Sequence, residues 1–231
     1  LRREGVRPIG DPAELIKHYD SEGADEIYLC DTVASLYRRN SLCDIVYAAT
    51  QHAFIPVTVS GGVHSVDCVR DLLNAGADKV AVCTAVLDRP SLIDELVAKF
   101  GSSTIVLQLD VKNVGGAWHA YSDGGRQPTG HNAVGWAYEA VQRGVGEVLV
   151  TAIDRDGLMN GLDFALCAAL APLPVPVVIS GGFGRISEAT IIANHGISGV
   201  AIGAALHYNQ LTFAGIKEQL AQSGVPIRCV F

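Results

Sequence analysis

An internal repeat with a spacing of 120 residues restricts the fold of this chain more than any other feature. Residues 57–62 read VTVSGG, and residues 177–182 read VVISGG. A second pair keeps the same spacing, since 76–86 (GADKVAVCTAV) aligns with 196–206 (GISGVAIGAAL). Two pairs at one offset predict two halves of similar structure, each made of the same repeating units.

Those units are strands that alternate with helices. Seven short runs are apolar on both faces, which is typical of parallel strands covered by helices; they are 25–31, 55–60, 79–84, 104–110, 147–153, 175–180 and 199–203. Eight helical stretches accompany them: 12–22, 40–53, 65–75, 90–100, 132–144, 163–171, 186–195 and 210–223. The alternation predicts βαβ units in a parallel sheet, and no linker divides the chain.

The repeat and the alternation together predict an α/β fold, a (βα)8 TIM barrel made of two (βα)4 half-barrels, with residues 1–231 as one domain. In such a barrel each helix follows a strand, but the stretch 12–22 has no strand before it. By the repeat, the counterpart of the strand that ends at Asp110 would end about ten residues before Leu1. We therefore expect the first strand to be absent from this chain.

Composition excludes several classes of partner. The 231 residues carry a formal net charge of −7, which argues against a nucleic acid or an anionic membrane surface. No uncharged apolar stretch reaches the roughly 18 residues that a membrane-spanning helix needs. The six cysteines form no CxxC pair and no cluster with histidine, so we expect buried thiols in a reducing cytoplasm, without metal or cofactor.

The two SGG turns are the first candidate site. Active sites of TIM barrels lie where the strands end, and glycines there let backbone N–H groups approach an anion closely. The ends of the next strands would complete each cradle. These glycines are also expected in tight turns without any ligand. Their pairing at one offset favours two phosphate sites and hence a substrate with a phosphate at each end.

Carboxylates at the strand ends are the second candidate site. Asp110 ends an apolar strand, where partial desolvation suits a general acid or base; the alternatives are a cap of the next turn or an ion pair with Lys112. Asp154 and Asp156 follow another strand and suit substrate hydroxyls or an Asp-Gly turn. At the strand starts, the charged residues Glu26, Lys79 and Glu147 predict an ion-pair network on physical grounds alone.

Several segments resemble the HisF family, the cyclase subunit of imidazole glycerol phosphate synthase. They are IGDPAEL (9–15), GADEIYLCDTVAS (23–35), SGG (60–62), GADKVAVCTA (76–85), RPSLIDELVAKFGS (89–102), LQLDVK (107–112), GVGEVLVTAIDRDG (144–157) and ISGGFG (179–184). The resemblance implies a lyase of histidine biosynthesis. Ammonia from a HisH-type glutaminase partner converts the bis-phosphorylated substrate PRFAR into imidazole glycerol phosphate and AICAR, with two aspartates as acid and base.

The resemblance also implies roles for individual residues. One catalytic aspartate is Asp110, and the other belongs to the absent first strand. The remaining roles are substrate binding by Asp31, Thr151 and Asp156; a first phosphate site of Gly61, Gly62, Cys83 and Thr84; a second of Gly181, Gly182, Gly203 and Ala204; an ammonia gate of Glu26, Lys79 and Glu147; and a partner interface at Asp78. Cys83 and Ala204 stand where the family usually has Asn and Ser, so we expect backbone donors at those positions.

Two alternative functions remain at this point. A HisA-like isomerase of the same substrate series also uses two aspartates at the barrel mouth, but it needs neither ammonia nor a partner. A HisF-like subunit that conducts ammonia for amidation of a surface (lipopolysaccharide) sugar is the other. The segments 35–40, 124–130 and 205–211 look more like that subgroup.

Overall fold

Parallel strands form the wall of a nearly closed barrel. The computed structural model describes residues 9–32 and 42–228. Its wall strands are β1 (Ile27–Cys30), β2 (Val57–Ser60), β3 (Lys79–Val82), β4 (Ile105–Val114), β7 (Glu147–Ala152), β8 (Val177–Ser180) and β9 (Gly199–Ala201). They are hydrogen-bonded in the order β1-β2-β3-β4-β7-β8-β9, all parallel. This confirms the predicted TIM-barrel class and the seven predicted strands.

Helices follow the strands and pack outside the wall. They are α1 (Pro12–Ser21), α2 (Leu42–Thr50), α3 (Val66–Asn74), α4 (Thr84–Asp88), α5 (Ser91–Phe100), α6 (Ala133–Gln142), α7 (Phe164–Leu170), α8 (Ser187–Asn194), α9 (Ala204–His207) and α10 (Phe213–Gln222). The eight predicted helices are confirmed, and α4 and α9 are additional short ones. The predicted absent strand, the segment 35–40 and the start of the stretch 40–53 lie outside the described residues.

Local sequence signals explain where helices begin. The Asp11 carboxylate accepts hydrogen bonds from the backbone N–H groups of Ala13 and Glu14, and Pro12 occupies the first helical position of α1. The Thr212 hydroxyl accepts from the N–H of Gly215 at the start of α10. No helix within the described ranges is long and apolar enough to cross a membrane.

The strands bury two different faces. Outward side chains of each strand pack under the helices in the main core, Val59, Leu107 and Ile179 among them. Inward side chains form a smaller apolar cluster inside the barrel, made of Ala81, Val106 and Leu149 with Tyr28, Val178 and Ala201 packed against it. Because residues two apart on a strand share a face, the side chains above Val106 on β4 that point inward are Gln108 and Asp110.

Contacts between α1 and the last helices bring the two ends of the sheet together. The Tyr19 hydroxyl lies 2.5 Å from Nδ1 of His207, and the Tyr19 ring packs edge-on against Phe213. The Lys217 ammonium lies 2.7 Å from the Asp25 carboxylate, just before β1. Side-chain contacts therefore join α1 and the start of β1 to α9 and α10.

A hairpin above the barrel was not predicted. β4 continues past Asp110, where the sequence analysis ended it, and pairs antiparallel with β5 (Ala117–Ser122), which pairs with β6 (Gln127–Asn132). Trp118 anchors this hairpin, because its indole N–H donates to the Asp163 carboxylate at 2.9 Å. The hairpin extends the wall beyond the ends of the neighbouring strands.

Candidate active site

Asp110 lies on a polar level of the inner face, near the end of the barrel where the strands end. It is the register partner of Thr151 on β7, which is in turn the partner of Ser180 on β8. Asp110 is fully buried, and Thr151 is nearly so. Because β4 continues through Val114, Asp110 does not cap a turn, and that alternative is wrong. A buried carboxylate on a polar level is suited to proton transfer.

Polar side chains just below Asp110 were missed by the sequence analysis. Tyr28 on β1 belongs to the inner cluster, and burial raises the pKa of its phenol well above the ordinary value, with a smaller contribution from the Asp110 charge. The buried Ser60 hydroxyl donates to the Gln108 side-chain oxygen inside the barrel, between two strands that both neighbour β3. The phenol of Tyr28 therefore stays neutral at physiological pH beside the candidate acid or base.

The two SGG turns have matching backbone geometry. The φ angles of Gly61 and Gly62 are +115° and +68°, and those of Gly181 and Gly182 are +91° and +97°. A Cβ atom at Gly61 would lie 2.5 Å from the Asp31 carbonyl oxygen, and one at Gly181 would lie 2.4 Å from the Ala152 carbonyl oxygen. Both turns therefore require glycine for conformation and for close packing, whether or not an anion binds.

The strand ends beside the turns also match. Cys83 and Gly203 precede the first residues of α4 and α9, with φ and ψ of −131° and −91° at Cys83 and of −109° and −82° at Gly203. The Cys83 side chain makes no hydrogen bond to the start of α4, and Gly203 has no side chain that could do so at α9. The sequence analysis included Cys83 and Thr84 in a strand, but β3 ends at Val82. The 120-residue repeat thus extends to the backbone of both candidate phosphate sites.

The surroundings of the two turns differ. Beside the first turn lies a pocket of about 260 Å³, whose lining includes Gly61, Gly62, His64 and Cys68. Nδ1 of His64 lies 2.7 Å from the Gly62 carbonyl oxygen. Beside the second turn, the N–H of Gly161 donates to the Gly182 carbonyl at 2.8 Å. The second turn is therefore covered by the loop that contains Gly161, whereas the first turn borders a pocket.

That loop carries the remaining substrate candidate, Asp156. The backbone N–H of Asp156 donates to the Ala152 carbonyl, which fixes the turn after β7. The Arg155 guanidinium donates to the carbonyls of Gly161 and Leu162 at 3.1 and 3.3 Å. Asp31, Thr151 and Asp156 thus all belong to segments at the mouth, where the strands end.

The three predicted gate residues meet at the opposite end, where the strands start. The Lys79 ammonium lies 3.0 Å from the Glu26 carboxylate and 2.7 Å from that of Glu147, and the Thr58 hydroxyl donates to Glu26. Burial opposes the charge of the ammonium, but hydrogen bonds and attraction from Glu147 and Glu26 raise the pKa of Lys79. The ion-pair network predicted on physical grounds is confirmed.

The rim of this same end exposes two further residues. The Asp78 carboxylate accepts a 2.8 Å hydrogen bond from the N–H of Val57. Phe54, three residues before β2, is 93% exposed, and its N–H donates to the Asp20 carboxylate. No role for Phe54 was predicted from the sequence.

The described residues give no support for a metal site. No group of three or more His, Cys, Asp or Glu side chains within 9–32 and 42–228 is arranged to hold a metal ion. The five cysteines described form no disulfide with one another, and Cys229 lies outside the described part of the chain.

Comparisons with known proteins agree along nearly the whole chain. The family model described as "Histidine biosynthesis protein" matches residues 2–212. The imidazole glycerol phosphate synthase subunit HisF of Gluconacetobacter diazotrophicus is 42% identical over 225 residues, covering 96% of this chain and 87% of that protein. HisF of Myxococcus xanthus is 42% identical over 227 residues, covering 97% and 90%. HisF of Helicobacter hepaticus is 38% identical over 225 residues, covering 97% and 90%.

Proposed function

Because this chain belongs to the histidine biosynthesis protein family, we propose that it is a HisF-type cyclase subunit of imidazole glycerol phosphate synthase. The reaction converts PRFAR and ammonia into imidazole glycerol phosphate and AICAR. One observation of the structure carries the proposal: the fully buried Asp110 stands on the polar inner level of a barrel whose mouth has two matching glycine turns.

Asp110 is the residue that we assign to proton transfer. Ammonia condenses with the ketone of the ribulosyl part of PRFAR with loss of water, and ring closure at the formimino carbon then expels AICAR. Protons must therefore be both removed and supplied. Asp110 exchanges them on an inner face shared with Thr151. The resemblance assigns the complementary role to an aspartate on the predicted first strand.

We assign the two phosphates of the substrate to the two glycine turns. Gly61 and Gly62 with Cys83 and Thr84 hold one, and Gly181 and Gly182 with Gly203 and Ala204 hold the other. Backbone N–H groups donate to each phosphate, which explains how an acidic protein accepts an anionic substrate without a cluster of lysines. Asp31 and Asp156 bind hydroxyl groups between the two phosphates.

A HisH-type glutaminase is the partner that we propose for the end where the strands start. The names of the relatives describe HisF as a subunit of a synthase, which supports a partner. The exposed Phe54 and Asp78 suit its docking, and Glu26, Lys79 and Glu147 guard the entrance for ammonia. A cytoplasmic location is part of this proposal.

Turnover with ammonium salts tests the function directly. The full-length protein is incubated with PRFAR, with and without ammonium chloride, and both products are quantified by chromatography. We expect AICAR and imidazole glycerol phosphate in equal amounts and only with ammonium. Conversion of an isomer of PRFAR without ammonia would favour the isomerase. Absence of turnover, together with tight glutaminase binding, would favour the ammonia-conducting subunit.

Truncation of Phe54 tests the docking surface. We expect Phe54→Ser to weaken binding of a HisH-type glutaminase from the same organism by roughly tenfold, as for a central aromatic contact. Calorimetry measures the affinity, and turnover with ammonium should stay at the wild-type level. The control is Tyr138→Ser on the outer surface of α6, which should bind normally. Unchanged affinity of Phe54→Ser would place the partner elsewhere.

A further inference from the structure

The tip of the β5–β6 hairpin crosses the mouth of the barrel. Residues 123–126 form this tip, and the N–H of Asp123 donates to the Thr84 hydroxyl at 3.0 Å. A Cβ atom at Gly124 would lie 2.8 Å from the Thr32 carbonyl oxygen, and one at Gly125 would lie 2.7 Å from a methyl group of Ile153. Thr32, Thr84 and Ile153 follow β1, β3 and β7, so the tip contacts three separate strand ends.

The tip adopts a conformation that fits these contacts closely. Asp123, Gly124 and Gly125 have φ angles of +52°, +65° and +82° in succession. The Ser122 carbonyl accepts hydrogen bonds from the N–H groups of Gly125 and Arg126, both at 3.0 Å. Left-handed backbone at a non-glycine residue such as Asp123 persists where the surroundings fix it. These contacts and hydrogen bonds therefore set the backbone position of Arg126, the next residue after the two glycines.

Arg126 is held by one end of its guanidinium group only. Nη1 donates to the Asp123 carbonyl at 3.0 Å and to the Thr32 carbonyl at 3.3 Å. A guanidinium group has five N–H donors, and those on Nε and Nη2 of Arg126 make no hydrogen bond to any residue within the described ranges. An exposed arginine at the mouth thus keeps part of its fork available.

The contacts of the tip identify which turn this arginine serves. Thr32 follows Asp31, whose carbonyl packs against Gly61 of the first turn. Thr84, which Asp123 contacts, belongs to the other half of the same candidate phosphate site. The tip therefore contacts the first site directly at Thr84, and it contacts Thr32, the residue that follows the Asp31 packed against Gly61. A planar guanidinium fork matches the oxygen pairs of a phosphate.

We propose that Arg126 is a substrate-positioning residue that binds the phosphate held at the first glycine turn. This inference rests on the proposed function. The hairpin tip places the guanidinium above the phosphate, while backbone N–H groups of Gly61, Gly62 and Thr84 approach it from below. Within the described residues, the acidic chain places no cluster of lysines at this site. Arg126 of the hairpin therefore supplies the positive charge.

Replacement of Arg126 tests the role. We expect Arg126→Gln to raise KM for PRFAR by about 10- to 100-fold, the effect of losing charge-assisted hydrogen bonds, with a smaller change in kcat. Arg126→Lys should recover part of the affinity, since the charge remains but the fork does not. The control Arg143→Gln removes an arginine that pairs with Asp94 and Glu139 on the outer helices, and it should leave KM unchanged.

Inorganic phosphate separates substrate binding from a purely structural role. Calorimetric titration with phosphate should show weaker binding to Arg126→Gln than to wild type and Arg143→Gln. A variant with lower thermal stability but wild-type KM and phosphate affinity would overturn the inference, because Arg126 would then only anchor the hairpin. If the wild type fails to turn over PRFAR, the proposed function fails, and the phosphate titration alone decides whether Arg126 binds phosphate.

Discussion

The two ends of the barrel hold their charged groups in opposite ways. Where the strands start, Lys79 lies between Glu26 and Glu147, so that each charge has an opposite charge within 3.0 Å. Where the strands end, Asp31, Asp110 and Asp156 lie on segments around a mouth that contains the two glycine turns. Ion pairs between side chains characterise the first end, and the proposed anion sites, made of backbone N–H groups and Arg126, characterise the other.

The two ends of the barrel are therefore suited to different molecules. A compensated ion-pair cluster stays in place without a ligand, which suits the entrance that we propose for neutral ammonia. A mouth with buried acid and glycine-framed turns suits an anionic substrate and proton exchange. Changes at the mouth should therefore impair turnover with any nitrogen source, whereas changes at the entrance should impair only the supply of ammonia from a partner.

The largest effect is expected from Asp110→Asn at the mouth. The amide retains the shape of the carboxylate but cannot exchange the proton, so we expect turnover to fall by about a hundredfold or more with both ammonium and glutamine. Calorimetry should still detect substrate binding. Asp44→Asn on the exposed surface of α2 is the control with normal kinetics. Near-normal turnover of Asp110→Asn would remove this residue from the chemistry.

The second largest effect concerns the packing of the first turn. Gly61→Ala forces a Cβ atom to within 2.5 Å of the Asp31 carbonyl at a φ of +115°, so KM should rise and the free energy of unfolding should fall by about 1–3 kcal/mol. Gly116→Ala is the matched control, because Gly116 has a similar φ of +87° but an added Cβ atom there would meet nothing within 4 Å. Denaturant unfolding of both variants measures the loss of unfolding free energy, and the difference between them reports the contact with the Asp31 carbonyl. Equal losses in the two variants would show that only the backbone conformation matters.

A smaller and more selective effect is expected at the entrance. Lys79→Met leaves Glu26 and Glu147 facing each other without the cation, so the entrance should lose its fixed arrangement. We expect the ratio of glutamine-dependent to ammonium-dependent turnover to fall roughly fivefold, equivalent to about 1 kcal/mol. Lys99→Met on α5 serves as the control. Parallel loss of both activities would contradict the separation between the two ends.

The smallest effect is expected away from both ends, at the contact between α1 and α9. Burial lowers the pKa of His207 below its ordinary value of 6.5. The unfolded chain therefore takes up a proton first as the pH falls, and the stability that neutral His207 contributes is present above about pH 6.5 and lost below it. The free energy of unfolding should fall less between pH 7 and about 5.5 in His207→Gln than in wild type. An identical pH dependence would assign no stabilising role to the neutral ring; His195→Gln on the surface is the control.

The strands and most helices could be predicted because buried elements have recognisable patterns of apolar residues in the sequence. Runs such as 104–110 and 147–153 are apolar on both faces, and the repeat at one offset predicts the two half-barrels. The hairpin has no such apolar pattern, because β6 (Gln127–Asn132) is polar and mostly exposed and forms only by pairing with β5. The helices α4 and α9 are too short for a helical period to be visible.

The candidate site was predictable where it repeats and not where it is unique. The two SGG turns share an offset, so their glycines could be identified, although the close approach of the Asp31 carbonyl to Gly61 could not. Tyr28 resembles any apolar strand residue until the barrel closes around it. Arg126 gains its place at the mouth only when the hairpin folds across three strand ends. The roles of the predicted site residues remain proposals.

The single strand β4 carries Asp110 and also pairs with the hairpin above the barrel. Asp110 pairs in register with Thr151 of the wall on one side and with Tyr121 of the hairpin on the other. The backbone of Asp110 and the backbone of the hairpin consequently belong to one hydrogen-bonded sheet, so a change in the register of the hairpin would also displace the Asp110 carboxylate. The outer turn, Gly115 and Gly116, can accept extra residues more easily, because an added Cβ atom at either glycine would meet nothing within 4 Å. That turn is accordingly the natural place to insert a reporter group.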